Sequence, residues 1–414
     1  LRSLQQSYKL ARTVRAKDRL LGIDILRAIA VLSVVLAHSL VPQSAPPIFK
    51  ESLAVWKRGG FAGVDLFFVL SGFLVSSLLF TEYQRYGTLR PGRFLLRRGL
   101  KIYPSFYAML ALTIVYGIRG WWPYVTVKRF LAEMFFVQNY FPLVWGHTWS
   151  LAIEEHFYLM LTAALFYLAT RARETHLAGK TAFRPLIPTF FFVAVFCETT
   201  RAITYWLLVR SGRPVWLMAT HMRIDELLFG VLLSYFWAFD NEQLRNFVAR
   251  HRRILSIAVS ISVTSLFLRW SPTVMVAIGF VLLYLTFGAL LLVVLMRDVR
   301  HSMPALFFGR IGVASYSIYL WHMPWRVAVD HITGWMHIPQ ADWIVPWALY
   351  VVGSVIVGIT SAALIEMPVL RLRDRLLPSR SAASAPVPPT LRITDEEAAS
   401  VPTVGDLSKA GAPG

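Results

Sequence analysis

Gly22-Ile-Asp-Ile-Leu-Arg-Ala-Ile-Ala-Val-Leu-Ser-Val-Val-Leu-Ala-His38 is an apolar run that carries Arg27 and His38 inside it, eleven residues apart. At about 100° and ~1.5 Å per residue, that spacing sets both side chains on one helix face, ~16 Å apart in depth. A central Arg costs about 2.5 to 3.5 kcal/mol in lipid, so such residues face a protein interior or a watery cavity and mark a functional path. The pair therefore reads as a conduit, with a cation near one mouth and a proton acceptor near the other.

The rest of the chain agrees with a membrane setting. Of 414 residues, 56% are hydrophobic and 16% charged, with a mean hydropathy of +0.54, too apolar for an ordinary soluble globule. Windows of about 20 apolar residues, the length that spans a bilayer, fall near 22–41, 61–81, 102–119, 149–169, 187–209, 222–239, 254–270, 273–296, 310–331 and 342–365. The expected fold is all-α, a polytopic membrane bundle of about ten transmembrane helices. The seventh and eighth windows are separated at Arg269-Trp-Ser-Pro272, and Phe130–Phe141, which carries Glu133, reads as an interfacial or re-entrant piece. The single cysteine, Cys197, excludes an internal disulfide and any CxxC site, and no metal-ligand cluster is visible. Internal repeats, the mark of the commonest secondary transporters, are also missing.

Charge bias orients the bundle, because Lys and Arg gather on the cytoplasmic side of short loops. With the chain starting inside, the inner segments hold 29 of the 42 Lys and Arg and the outer loops 10; Arg27, Arg201 and Arg326 lie within spans. Both termini are expected in the cytoplasm of a multi-pass cell-membrane protein. Topology and anionic lipid account for much of the +19 net charge, with no call on nucleic acid. Residues 1–20 read as a basic cytoplasmic segment, 21–375 as the transmembrane domain, and 376–414, rich in Ala, Pro and Ser, as a disordered cytoplasmic tail. The first span is expected to be an uncleaved anchor, since no small-residue cleavage site follows it.

Orientation assigns a depth to each unusual polar residue. Arg27 falls near the cytoplasmic end of the first span and His38 near its far end. The second span runs back, so Asp65 in Gly63-Val-Asp-Leu-Phe-Phe-Val-Leu-Ser-Gly-Phe-Leu74 shares the outer level. The fourth, opening with His147-Thr-Trp-Ser-Leu-Ala-Ile-Glu-Glu-His-Phe-Tyr158, brings Glu154 and Glu155 there too. A histidine with a nearby carboxylate suits general-base work, because its pKa lies near neutrality and the carboxylate orients the ring. His38, Glu154 and Asp65 are the candidate catalytic residues, and which carboxylate meets His38 stays open. Trp149 and Arg223 are candidates on the acceptor side, where Trp149 suits sugar stacking or interfacial anchoring and Arg223 lines a path or pairs with Asp225. His322 reads as packing beside a proline kink.

A second constellation occupies the cytoplasmic end. In Arg90-Pro-Gly-Arg-Phe-Leu-Leu-Arg-Arg-Gly-Leu-Lys-Ile-Tyr-Pro104, Arg90, Arg93, Arg97 and Lys101 recur at helical spacing with Arg98 beside them, the pattern of an amphipathic helix leading into the third span. It serves either as an anchor on anionic lipid or as a site for a phosphate-bearing ligand, matched by Arg forks and a Lys point charge. Arg27 either extends that site inward or snorkels.

Four stretches now resemble a known family: Arg27-to-His38 after Asp24-Ile-Leu; Gly63-Val-Asp-Leu-Phe-Phe-Val-Leu-Ser-Gly-Phe; Phe94-Leu-Leu-Arg-Arg-Gly-Leu-Lys-Ile-Tyr-Pro104; and Thr148-Trp-Ser-Leu-Ala-Ile-Glu-Glu-His-Phe-Tyr158. With Ser315-Tyr-Ser-Ile-Tyr-Leu-Trp-His-Met-Pro324 and Ile365-Glu-Met-Pro368, they make residues 20–375 similar to the integral-membrane acyltransferase family 3, O-acyltransferases of sugars, lipids and some antibiotics. The resemblance implies a bundle of about ten helices, an acyl-CoA donor and a histidine essential for transfer. The family's arginine pair before the third span falls on Arg98 and Lys101, so its second member is lysine here, which keeps the charge and loses the fork. Many relatives append a hydrolase-like extracytoplasmic domain. None is expected here, so transfer is expected to finish within the bundle or with a separate partner.

Depth and resemblance combine into one expected mechanism. Cytoplasmic acyl-CoA, acetyl-CoA by default, rests its phosphates on Arg97, Arg98, Lys101 and Arg27 as co-substrate, with no bound cofactor. Its thioester reaches His38, which activates a hydroxyl of a carbohydrate, glycolipid or small-molecule acceptor, with Glu154 holding the imidazole; transfer through an acyl-histidine is equally open. The alternative is a transporter or flippase for an anionic or glycan-linked substrate, in which Arg27, His38 and Glu154 form a relay.

Overall fold

The computed structural model describes residues 21–40, 44–211, 217–297, 299–339 and 342–380. Among them every regular element is a helix. α1 (21–37) is followed by α2 (Pro47–Gly60), α3 (Gly63–Tyr86), α4 (Pro91–Ile118), α5 (Val127–Met134), α6 (Trp149–Glu174), α7 (Lys180–Phe183) and α8 (Leu186–Arg210). Then come α9 (Ile224–Phe239), α10 (Asn241–Ser265), α11 (Pro272–Val274), α12 (Phe280–Leu295), α13 (Met303–Val313), α14 (Ser315–Trp335), α15 (Ile344–Ser361) and α16 (Met367–Leu376). One π turn joins α11 to α12 and another, Ala362–Glu366, joins α15 to α16.

Each expected window falls on, or chiefly on, a helix. Six helical stretches among the described residues are long and apolar enough by themselves to cross a bilayer; of the others, some are shorter, such as the 16-residue α9, and some, such as the 25-residue α10 and the 21-residue α14, are less apolar. The break at Arg269–Pro272 is present: Ser271 caps α11 by accepting the Val274 N–H, and Pro272 opens the helix where a missing N–H costs nothing. Phe130–Phe141 does not span; it forms the end of α5 and a single 3₁₀ turn, Gln138–Tyr140. The amphipathic helix and the third span are one continuous α4, which runs through Pro104. Residues 1–20 and 381–414 lie outside the described residues; of those assigned to the tail, Leu376 ends α16 and 377–380 lie against α3 and α4.

α3 is apolar on every side and packs along α9. Backbones come together where Gly72 meets Gly230: a Cβ on Gly72 would sit 1.9 Å from Leu227 O, and one on Gly230 2.3 Å from Val69 O. Small residues allow such contact in membranes, where dispersion at close range drives association. Tyrosine hydroxyls tie further helices, Tyr116 donating to Pro324 O (3.2 Å), Tyr316 to Ile102 O (2.7 Å) and Tyr350 to Val35 O (3.0 Å). Each gives a buried polar group a partner that lipid cannot supply.

Candidate active site

A cavity of about 120 Å³ lies between α1, α3, α4, α6 and α14. Its lining includes Arg27, Arg98 and Lys101, the polar Ser71, Ser150, Glu154 and Tyr319, and the apolar Phe67, Phe68 and Leu74. Helical geometry selects these residues. Arg98 and Lys101 are three apart on α4 and share the inward face, as do Glu154 and Tyr158, four apart on α6.

Tyr158, buried behind the cavity lining, is its polar hub. Its hydroxyl donates to Glu154 Oε2 at 2.8 Å and accepts from Arg98, whose guanidinium also lies 4.4 Å over the Tyr158 ring. A phenol has one hydrogen, so Ser71, 2.7 Å away, must be the donor in the remaining bond. Arg98 is thereby engaged, and Arg27 meets Asp24 only at 3.5 Å. Lys101 has neither a hydrogen bond nor an ion pair with a described residue, although Arg27, Arg98 and Glu366 lie near it. Glu366 is brought inside by the π turn Ala362–Glu366 and accepts from Ser317 at 2.9 Å; such turns are frequent at functional sites.

Ser150 and Tyr319, which both line the cavity, are joined by a 2.6 Å hydrogen bond. Tyr319 also donates to His147 O at 2.6 Å. Beyond its ring come His147, His322 and finally His38, with centroids 4.8 Å apart for the first pair and 5.1 Å for the second. His147 is held by a loop anchored on buried Glu133, whose Oε1 accepts from Trp145 N (3.2 Å) and Thr148 Oγ1 (2.8 Å). Burial pushes Glu133 up to about 7, with those two hydrogen bonds opposing the shift.

The candidate residues therefore separate into four places. Arg27, Arg98, Lys101 and Glu154 share the cavity. His38 lies past Tyr319 with neither expected carboxylate: Glu154 is bound to Tyr158, and Asp65 is ion-paired to Arg223 at 2.5 Å. The expected common depth does not hold for Glu154, which lies at the level of Arg27 and Arg98; Arg27 is eleven residues, or ~16 Å, along α1 from His38. Arg97, expected among the donor ligands, turns outward to Asp374 at 2.9 Å and to Leu377 O, since adjacent helical residues point ~100° apart. Trp149 and Arg223 do meet, at 5.1 Å, as part of a buried cluster in which Arg223 also holds Glu226 at 2.8 Å.

Tyr158, Tyr319, Ser150, Glu366 and Glu133 were not singled out for roles from sequence. All but Glu133 stand in the motifs quoted above, and the i,i+4 spacing of Glu154 and Tyr158 was the available signal. Among the described residues no three His, Cys, Asp or Glu are grouped to hold a metal ion.

A multi-pass helical bundle with an internal, cation-walled cavity defines the class, and residues 20–365 match the acyltransferase domain family. The chain belongs to that family. It is similar to the peptidoglycan O-acetyltransferase OatA of Listeria monocytogenes, with 29% identity over 332 residues, covering 73% of this chain and 49% of that protein. The O-acetyltransferase OatA of Staphylococcus aureus is 26% identical over 338 residues, covering 75% and 51%. A putative O-acetyltransferase, SACOL0978, of Staphylococcus aureus strain COL is 26% identical over 383 residues, covering 84% and 56%. The chain spans about half the length of these relatives. No solved structure shows significant similarity to it.

Proposed function

We propose that the protein is a membrane O-acyltransferase that moves an acyl group, acetyl in the first instance, from cytoplasmic acyl-CoA to a hydroxyl of a carbohydrate or glycan-linked acceptor. Membership of the acyltransferase domain family supports the reaction class. The relatives' names support acetyl as the group, and the Listeria protein's name supports peptidoglycan as the acceptor class. The observation that carries the donor is Lys101, which has no ionic partner among the described residues and lines the cavity with Arg27 and Arg98. A cation so placed favours an anion such as a phosphate of the donor.

In this reading the donor's anionic part rests on Arg27, Arg98 and Lys101, and its acyl end advances toward Ser150 and Tyr319. Reaction at His38 requires the Tyr319 side chain to swing aside. His38 Nδ1 lies 2.9 Å from Val34 O, so in the neutral ring Nδ1 carries the hydrogen and Nε2 is the base. Nε2 takes the acceptor's hydroxyl proton, the oxygen attacks the thioester carbonyl, the C–S bond breaks, and the proton passes to the departing thiolate.

The test supplies labelled acetyl-CoA to membranes with and without the protein and seeks the acetylated acceptor by mass spectrometry. His38→Ala should abolish the product at unchanged protein level. Lys101→Gln should raise the donor KM about tenfold or more, the ~1.5–3 kcal/mol of a hydrogen bond to a charged group. Acceptor movement across the membrane with no acetylated product, indifferent to CoA, would establish the transporter instead.

A further inference from the structure

The histidine cluster beyond Tyr319 contains two nitrogens that transfer by His38 alone leaves without a task. Nδ1 of His38 is 2.9 Å from Val34 O, Nδ1 of His322 is 2.6 Å from Tyr319 O, and Nε2 of His147 is 3.1 Å from Leu320 O. A carbonyl oxygen only accepts, so each neutral ring commits its one N–H there and offers a lone pair at its other nitrogen. His322 Nε2 and His147 Nδ1 are buried and have no hydrogen-bond partner among the described residues. Leaving such an acceptor unpaired costs about 1–3 kcal/mol, and an unsatisfied group of this kind in a native interior calls for an explanation.

The rings run in sequence, His38 against His322 at 5.1 Å and 60°, and His322 against His147 at 4.8 Å and 70°. The charged groups acting on the first two are Arg326 and Lys57. Arg326 donates to His38 O at 3.2 Å, while Asp65 and Glu154 are engaged elsewhere. A general-base histidine ordinarily has a carboxylate to stabilise its imidazolium; here the neighbouring acceptor is an imidazole lone pair.

We propose that His322 is the positioning residue of the transfer, its unprotonated Nε2 accepting a charge-assisted hydrogen bond from His38 once His38 has become imidazolium, with His147 behind it. The inference rests on His38 being the base. The O–H bond of the acceptor breaks and an N–H bond on His38 forms; His322 lends its lone pair and takes no proton. When the leaving thiolate takes that hydrogen, the cluster returns to three neutral rings.

The experiment compares His322→Asn, whose amide N–H can still donate to Tyr319 O, with His322→Gln, whose amide oxygen replaces the Nε2 acceptor. Donor and acceptor kinetics are measured on intact membranes, and melting on solubilised protein. H322N should lower kcat about 100-fold, within the usual range for acid–base assistance, at unchanged donor KM and melting temperature, and H322Q should recover part of the loss. A wild-type kcat in H322N, or equal losses in both variants, overturns the proposal. Should the variants fail to fold, nitrogen NMR of histidine-labelled wild-type protein decides: a protonated Nε2 on resting His322 overturns it and a bare one upholds it. An active H38A instead removes the underlying reading, whereas an inactive H38A beside a fully active H322N removes only this inference.

Discussion

Tyr158 hands its only hydroxyl hydrogen to Glu154 at 2.8 Å, and by doing so turns its remaining lone pairs toward Arg98 and Ser71. One phenol thus couples α6 to α4 and α3 behind the cavity lining. Tyr158→Phe leaves the ring and its cation–π contact in place but deprives Arg98 and Ser71 of their acceptor and Glu154 of a donor. Loss of the hydrogen bond to a charged group, about 1.5–3 kcal/mol, should appear as a donor KM raised roughly tenfold or more, read from initial rates against acetyl-CoA. An unchanged KM would detach this hub from donor binding.

Arg223 is tested through stability. It is buried between Asp65 (2.5 Å) and Glu226 (2.8 Å), so Arg223→Met strands two carboxylates. Breaking a buried pair from one side costs about 3–5 kcal/mol, and detergent-solubilised protein should melt well below wild type. Adding Asp65→Asn and Glu226→Gln should recover much of the loss. If the single variant melts like wild type, the cluster is not holding α3 to α9.

Glu133 sets a pH dependence. Its folded value, pushed up to about 7 by burial, exceeds the ordinary 4.5, so between those values the folded state binds the proton more tightly than the unfolded one. Its contribution to stability is therefore fully present below about 4.5 and is lost as pH rises through about 7. Glu133→Gln, which retains an acceptor for Trp145 N and Thr148 Oγ1, should flatten the melting temperature over that window. A pH slope identical to wild type would exclude Glu133 as its source.

Gly72 tests the α3–α9 contact. A Cβ there meets Leu227 O at 1.9 Å, and backbone atoms cannot yield as a flexible side chain does. Gly72→Val should separate the helices and reduce folded protein in the membrane, measured by fluorescence-detected size exclusion, while Gly92→Ala, with nothing within 4 Å of its Cβ, should behave as wild type. Equal yield from both would refute the close approach.

Much of this protein could be read along the chain. Apolar length, Pro272 and the spacing of Arg27 and His38 announced an all-helical bundle with a cationic level and a histidine level, because hydrophobicity and helical rise are local quantities. Arg27, Arg98, Lys101 and Glu154 were recognisable for the same reason: each is an ionisable side chain in an apolar or amphipathic helix, where its charge demands an interior use.

Contacts across the bundle were decided elsewhere. Rise per residue along the chain sets Asp65, Glu154 and His38 at one expected height, but the level of each helix, its azimuth and its neighbours depend on packing, which leaves Glu154 beside Arg27 and Arg98. Packing gave Asp65 to Arg223, Glu154 to Tyr158 and His38 to His322, and it turned Arg97 away from the cavity that Arg98 enters. Chemistry-bearing residue types are written in the linear order; their partners are selected by three-dimensional packing among segments far apart in that order, which no single stretch encodes.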